Sequence, residues 1–149
     1  MENPSIVVLG CNGMLGSTVL KYFLSIGATV KSYDRTSLDA SMPNVLETLE
    51  SLSQTWQKSV IIINCIGVIP QKHDVAKQSR LYLSVNSVFP HVLSGFCDRK
   101  GFQLVHISTD CVYDGVKGNY AEDDPHTETN IYGLSNIFAN SKQVTPFHL

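Results

Sequence analysis

The sequence predicts an α/β protein built on a doubly wound parallel sheet, and three observations lead to this prediction. Short apolar runs alternate with amphipathic segments along most of the chain. A glycine-rich turn joins the first apolar run to the first amphipathic segment. The run at 60–64 is almost entirely β-branched and shows no polar alternation, which is typical of a strand covered by helices on both faces.

The glycine-rich turn follows the first predicted strand, Ile6 to Leu9, and opens the first predicted helix. Such a turn presents backbone N–H groups and the positive end of a helix to a phosphate. Gly10 would permit the turn, Gly13 would let a pyrophosphate approach, and Gly16 would let the helix pack against the strand. The strand and helix around these glycines favour a dinucleotide-binding, Rossmann-like domain over an ordinary glycine-rich turn. The predicted cofactor contacts in the loop also include Asn12, Met14 and Leu15.

Charged residues follow the second predicted strand, Ala28 to Tyr33. Asp34 lies 18 residues after Gly16, where this type of fold places the acid that binds the adenosine ribose hydroxyls. Arg35 could instead bind a 2′-phosphate, so the sequence leaves NAD and NADP both open as cofactors. We include Asp39 in the same predicted cofactor site. A charged strand end without a binding role is the alternative interpretation.

The remaining segments complete a predicted sheet of order 3-2-1-4-5. The helix after the glycine turn is expected to end at Gly27. Pro90 lies inside a long helical pattern and predicts a kink or a break there. The other predicted segments are a very short third strand at 38–40, a helix from about 44, strands at 60–64 and 103–108, and helices at 80–100 and 131–140.

Composition and charge limit the class of protein. The 149 residues suffice for one domain, and a formal net charge of −2 with scattered lysines argues against nucleic acid as a partner. The apolar run Val60 to Ile69 is interrupted by Asn64 and is too short to span a bilayer. No charged-then-apolar leader opens the chain, so we expect a cytoplasmic protein. Neither the cysteines nor the histidines show ligand spacing, so no metal site is predicted.

Several motifs resemble those of the extended short-chain dehydrogenases. The most specific are HISTDCVYDG at 106–115 and IYGLS at 131–135, taken together with GCNGMLG at 10–16. Within that superfamily the chain resembles the dTDP-4-dehydrorhamnose reductase family of sugar-nucleotide reductases. The resemblance extends from the start of the chain to Ser135 and includes NCIGVIPQ at 64–71, VNSVFPH at 85–91 and GNYAEDD at 118–124.

The resemblance implies a reaction in which NADPH or NADH reduces a 4-keto group on a deoxynucleotide-linked sugar. Thr109 matches the hydroxyl that hydrogen-bonds the keto oxygen, and Tyr132 matches the proton donor. Asp110 matches a substrate-side position, and Asn86 matches a helix residue that supports the active site. The expected partner is a small nucleotide-sugar substrate, and a homodimer is left open. The loop beside the cofactor is matched by Asn64, Cys65, Ile66 and Gly67.

The chain departs from the family pattern at Asn136, where the family has a lysine. A neighbouring ammonium favours the phenolate and holds the nicotinamide ribose, and an amide does neither well. Moving a tyrosine pKa from about 10 to about 7 takes about 4 kcal/mol. Neutral Tyr132 could still give up its proton, so we expect a loss of about 10²- to 10⁴-fold in rate rather than inactivity.

The family pattern stops after Ser135, which is the second departure. We therefore expect an NAD(P)-binding domain at 1–135, a divergent tail at 136–149, and no domain that closes over the sugar. A truncated or frame-altered product is one hypothesis for this end of the chain. The leading functional expectation is an impaired or incomplete reductase. The alternatives are a non-functional fragment or a non-catalytic module, since the regulatory β subunit of methionine adenosyltransferase shares this architecture.

Overall fold

The protein is built around a parallel sheet of strand order β2-β1-β3-β4-β5. The computed structural model describes residues 4–74, 77–139 and 146–147. All four strand pairings are parallel, so the carboxyl ends of the strands lie along one edge of the sheet. The strands are β1 (Ser5–Leu9), β2 (Val30–Tyr33), β3 (Val60–Asn64), β4 (Gln103–Ile107) and the two-residue β5 (Pro146–Phe147).

The predicted short third strand at 38–40 is wrong, whereas the relative order of the other four predicted strands is confirmed. Leu38 and Ala40 are buried in the core, but their segment forms no ladder with β2. The carboxylate of Asp39 instead accepts hydrogen bonds from the backbone N and Oγ of Ser41, at 2.9 and 2.6 Å. Local side-chain bonds of this kind compete with strand pairing and favour a turn.

Helices cover both faces of the sheet, which confirms the doubly wound class. Helix α1 (Met14–Ser25) is terminated, as predicted, by Gly27, which follows the C-cap residue Ile26 and has a φ of +74°. It packs Val19 and Phe23 against Ile6 and Val8 on one face. Helices α2 (Val45–Ser53) and α4 (Phe89–Lys100) pack on the opposite face, and their core there includes Val7, Leu9, Leu49, Ile62, Leu93 and Phe96. Successive side chains of β1 point to opposite faces of the sheet, as strand geometry requires, and so contribute to the packing on both faces.

The helical stretch that ends at Lys100 changes its winding just before Pro90 rather than breaking. It begins as α3 (Ser79–Tyr82) and widens into a π-helical segment, Leu83–Val88, before α4. Proline lacks a backbone N–H and crowds the preceding turn, and a π turn is one way of accommodating it. The irregular segment buries Val85, Asn86 and Ser87 and leads Asn86 toward the loop after β3.

Two further features complete the described part of the chain. A 3₁₀ turn at Asp110–Val112 follows β4, and helix α5 (Ile131–Ala139) packs on the π-helical segment. Among the residues described, no helix combines the length and apolar character that a bilayer crossing needs. Thr109 immediately precedes the 3₁₀ turn, and Tyr132 is the second residue of α5.

We predict that Gly16→Ala destabilises the protein strongly. A Cβ at this position would overlap the carbonyl oxygen of Gly10 and lie 2.8 Å from its carbonyl carbon, and backbone cannot move aside cheaply. Chemical denaturation should show a free energy of unfolding lower by about 3 kcal/mol or more.

Gly95→Ala is the matched control, because Gly95 also lies in a helix and a Cβ there meets only Arg99 at 3.6 Å. The control substitution should raise the free energy of unfolding by at most about 1 kcal/mol. Equal effects of the two substitutions would contradict the close packing of α1 on the turn.

Candidate cofactor-binding and active site

Three adjoining cavities lie along the carboxyl edge of the sheet, where open α/β sheets bind their ligands. Cavity A, of about 250 Å³, is lined by the glycine turn and by Asp34 and Arg35. Cavity B, of about 240 Å³, contains Tyr132 and Asn136 and shares Gly13 and 65–68 with cavity A. Cavity C, of about 520 Å³, shares 107–109 with cavity B and extends into the loop at 110–126. The three form one groove.

The glycine turn has the shape that a pyrophosphate needs. Gly10 adopts a φ of +79° and donates its N–H to the Tyr33 carbonyl at 2.8 Å, which bends the chain away from β1. Gly13 is the N-cap of α1, and no side chain caps the first turn. The Gly13 N–H donates to the Gly10 carbonyl at 3.0 Å, and the N–H groups of the first turn begin at Met14, which is exposed. The residues present therefore fit a bound anion.

Asp34 closes one wall of cavity A and is held by several donors. Its carboxylate accepts hydrogen bonds from Asn12 Nδ2 at 2.9 Å, from Thr36 Oγ1 at 2.6 Å and from Thr36 N at 3.0 Å. The bond from the Thr36 hydroxyl is the main reason that the pKa of Asp34 is lowered. Arg35 Nε pairs with Asp39 at 3.0 Å. The predicted residues Asn12, Asp34, Arg35 and Asp39 thus lie together, although Asn12 and Asp34 are 22 positions apart.

The loop after β3 is fixed by two buried amides. Asn64 accepts the Ile66 N–H at 3.1 Å, and its Nδ2 lies 3.0 Å from His106 Nδ1. Asn86 binds both backbone groups of Val68, at 2.8 and 2.9 Å, and its Nδ2 lies 3.4 Å from Ser135 Oγ. These bonds hold the loop between the sheet and α5.

The loop lines cavities A and B with the segment that the sequence predicts beside the cofactor. Cys65, Ile66 and Gly67 lie in both cavities. Burial raises the pKa of the Cys65 thiol to about 11, so this side chain is neutral and acts as a small apolar group. Met14 and Leu15 also line cavity B.

Thr109 and Tyr132 meet in cavity B. Thr109 follows β4, and its Oγ1 accepts the Cys111 N–H at 3.2 Å. The Thr109 hydroxyl lies close to the Tyr132 phenol. Burial raises the pKa of Tyr132, as do Cys111 and Asp110, while the Thr109 hydroxyl opposes the shift. Asp110 itself is exposed and lines cavity C instead of cavity B.

Asn136 lies one turn after Tyr132 and also lines cavity B. Its side chain is buried, and its Nδ2 donates to the Tyr132 backbone carbonyl at 2.9 Å. The amide therefore continues the helix hydrogen bonding of α5 and gives the Tyr132 phenol no positive charge.

His106 lies beneath cavity B as a buried neutral side chain. Its Nδ1 accepts from Asn64, and among the described residues its Nε2 has no hydrogen-bond partner. Burial, with a smaller contribution from His91, lowers the pKa of His106 to about 4. In the described part of the chain no group of three His, Cys, Asp or Glu side chains has an arrangement that could hold a metal ion.

Cavity C contains residues that the sequence analysis missed. Tyr113 and Tyr120 stack with ring centroids 4.4 Å apart, and His126 meets Tyr113 edge-on. Glu122 adds a carboxylate to this wall. The signal in the sequence was two tyrosines and a histidine within one polar loop, but only the folded loop brings them next to Thr109.

Comparison with known proteins assigns the chain to a family. Residues 4–142 match the family model described as the RmlD substrate binding domain. The chain belongs to this family. The match continues past Ser135, and α5 also runs through that position. The division into a domain at 1–135 and a tail at 136–149 stays a prediction.

Several curated relatives of the chain are dTDP-4-dehydrorhamnose reductases. The protein from Mycobacterium tuberculosis is 27% identical over 141 residues, covering 95% of this chain and 44% of the relative. The protein from Burkholderia thailandensis is 31% identical over 134 residues, covering 89% of this chain and 43% of the relative. The chain thus spans less than half the length of these relatives.

Solved structures show the same fold. The dTDP-4-dehydrorhamnose reductase from Bacillus anthracis, in complex with NADP, superposes with a TM-score of 0.81 at 25% identity, covering 94% of this chain and 49% of that one. The ADP-L-glycero-D-manno-heptose-6-epimerase from Helicobacter pylori superposes with a TM-score of 0.77 at 18% identity, covering 99% of this chain and 54% of that one. The similarity between this chain and the epimerase is a similarity of fold.

We predict that His106 makes stability depend on pH. The pKa of about 4 in the folded protein lies below the ordinary value of 6.5, so the folded state favours the neutral ring. The resulting stabilisation is complete above pH 6.5 and is lost as the pH falls toward 4. At pH 5 the loss amounts to about 2 kcal/mol.

His106→Gln provides the comparison, since its carbonyl can accept from Asn64 but cannot titrate. Denaturant unfolding of both proteins at pH 7.5 and pH 5 should show the larger decrease in the wild type. Parallel pH dependence in the two proteins would show that His106 does not carry the effect.

Proposed function

We propose that the chain forms the NAD(P)-binding and catalytic part of a reductase that acts on a 4-keto nucleotide sugar. The observation that carries the proposal is the meeting of the Thr109 hydroxyl and the Tyr132 phenol in cavity B. This cavity shares lining residues with cavity A, where the glycine turn fits a pyrophosphate. The groove thus offers a dinucleotide site that ends at two hydroxyl groups.

The proposed cofactor site follows the groove from cavity A to cavity B. The N-terminus of α1 would hold the pyrophosphate, and Asp34 would accept from the adenosine ribose hydroxyls. Arg35 offers a positive charge beside Asp34, so either NAD or NADP fits this end. The Bacillus anthracis relative, in complex with NADP, supports a nicotinamide dinucleotide as the ligand. When bound, the reduced cofactor would supply the hydride for ketone reduction.

The chain's own hydroxyl groups would manage the keto oxygen of the substrate. Thr109 would donate a hydrogen bond to that oxygen, and Tyr132 would transfer its proton to the oxygen as negative charge develops. The raised pKa of Tyr132 keeps the phenol protonated at neutral pH, which is the state that reduction requires. The reverse oxidation requires the phenolate, and Asn136 supplies no charge to stabilise it.

A non-catalytic dinucleotide-binding module is the second candidate function. The observation that favours it is the Asn136 side chain, which binds the backbone of Tyr132 and leaves the phenol without a cation from α5.

We predict that the protein reduces a dTDP-4-keto sugar with NADPH or NADH at a measurable rate. The assay monitors the decrease in absorbance of the reduced nicotinamide. Tyr132→Phe and Thr109→Val should each lower kcat by about 10²-fold or more, since each removes a group that acts on the oxygen. The Kd for the cofactor, measured by fluorescence titration, should stay within about twofold because neither hydroxyl contacts the pyrophosphate.

The wild-type protein also distinguishes the two candidate functions. Saturable cofactor binding without turnover above the blank would favour the non-catalytic module. Turnover that survives Tyr132→Phe unchanged would contradict the role of the phenol.

We predict that Asn136→Lys increases kcat and moves the pH–rate profile to lower pH. An ammonium one turn from Tyr132 would stabilise the phenolate and lower the phenol pKa toward the working pH. The increase should be about tenfold or more. Asn136→Met is the matched control, because a methionine side chain is similar in length to a lysine side chain but carries no charge. A gain of similar size with methionine would assign the effect to packing instead of charge.

A further inference from the structure

The described residues around cavity B carry little charge. No Asp or Glu lies among them, and Lys72 is their one lysine or arginine. Cavity A differs, since Asp34 and Asp39 line it and its guanidinium, Arg35, is paired with Asp39. A pyrophosphate that lies where the two cavities join would therefore face carboxylates on one side and Lys72 on the other.

The Lys72 side chain differs from those of its basic neighbours in having no partner among the residues described. His73 Nδ1 lies 2.9 Å from Gln78 Oε1, and Lys77 pairs with Asp74 at 3.4 Å. The Lys72 side chain is exposed at the rim of cavity B and makes no ion pair within the described chain. Its charge is thus available to a ligand.

The position of Lys72 is set by anchored backbone on both sides. Asn86 holds Val68 through two hydrogen bonds, and the Tyr82 hydroxyl donates to the His73 carbonyl at 2.9 Å. The Lys72 N–H donates to the Ile69 carbonyl at 3.2 Å and forms a turn between these anchors. The ammonium therefore extends from a fixed base in the lining of cavity B, to which Met14 and Leu15 of α1 also contribute.

We propose that Lys72 is a cofactor-binding residue whose ammonium pairs with the pyrophosphate where the dinucleotide passes from cavity A into cavity B. The N-terminus of α1 and Lys72, which line the same cavity, then hold the same anion. This assignment rests on the proposed function, because a dinucleotide supplies the anion. It gives the site a positive charge from the loop after β3, while Asn136 supplies none from α5.

Titration of the full chain with NADH, followed by the change in nicotinamide fluorescence, tests the assignment. Lys72→Met should raise the Kd by about 3- to 10-fold at low salt, the range expected for an exposed charged hydrogen bond. Lys72→Arg should keep the Kd within about twofold of wild type. The difference between wild type and Lys72→Met should shrink in high salt, because screening weakens the interaction.

Lys77→Met is the matched control, since it removes the same charge from the same loop at a residue that faces Asp74. Its Kd should stay within about twofold of wild type. Equal Kd values for Lys72→Met and Lys77→Met would overturn the role of Lys72 and leave the proposed function intact. Absence of saturable NADH binding to the wild type would overturn both.

Discussion

The approach of α1 to the turn after β1 is the contact on which the site depends. Gly16 lies directly over the Gly10 carbonyl, with no room for a Cβ between them. This contact places the start of α1, whose first turn no side chain caps, beside the carboxyl end of β1. The same contact fixes Met14 and Leu15 in the lining of cavity B. Packing and the proposed anion binding therefore depend on the same turn.

Buried amide side chains connect the turn to the rest of the groove. Asn64 links the end of β3 to His106 on β4, and Asn86 links the loop after β3 to the π-helical segment and to α5. Buried amides are stabilising only when their hydrogen bonds are made, and both are well satisfied here. Through these bonds, segments far apart in the chain keep Thr109 and Tyr132 within reach of each other.

Features encoded locally could be predicted from the sequence. The bounds of α1 and of the strand at 60–64 follow from a capping glycine and from β-branched composition. The short strand at 38–40 could not be judged this way, because its outcome depended on whether Asp39 would bond to Ser41. Features that depend on several segments were missed as well. Lys72 and the stacked pair of Tyr113 and Tyr120 become neighbours of the groove only in the folded chain.

The two ends of the groove differ in how many hydrogen-bond donors and cations surround their acidic side chains. At the end lined by the glycine turn, Asp34 and Asp39 each have several donors, and Arg35 balances one of them. At the end lined by Tyr132, the phenol has the Thr109 hydroxyl nearby but no cation on α5, and its pKa is raised by burial. Under the proposed function, such a site would bind a dinucleotide well while transferring protons slowly, because binding would depend on the turn and the loop whereas proton transfer would depend on the phenol. Cofactor affinity and turnover would then be separate properties, set by different residues.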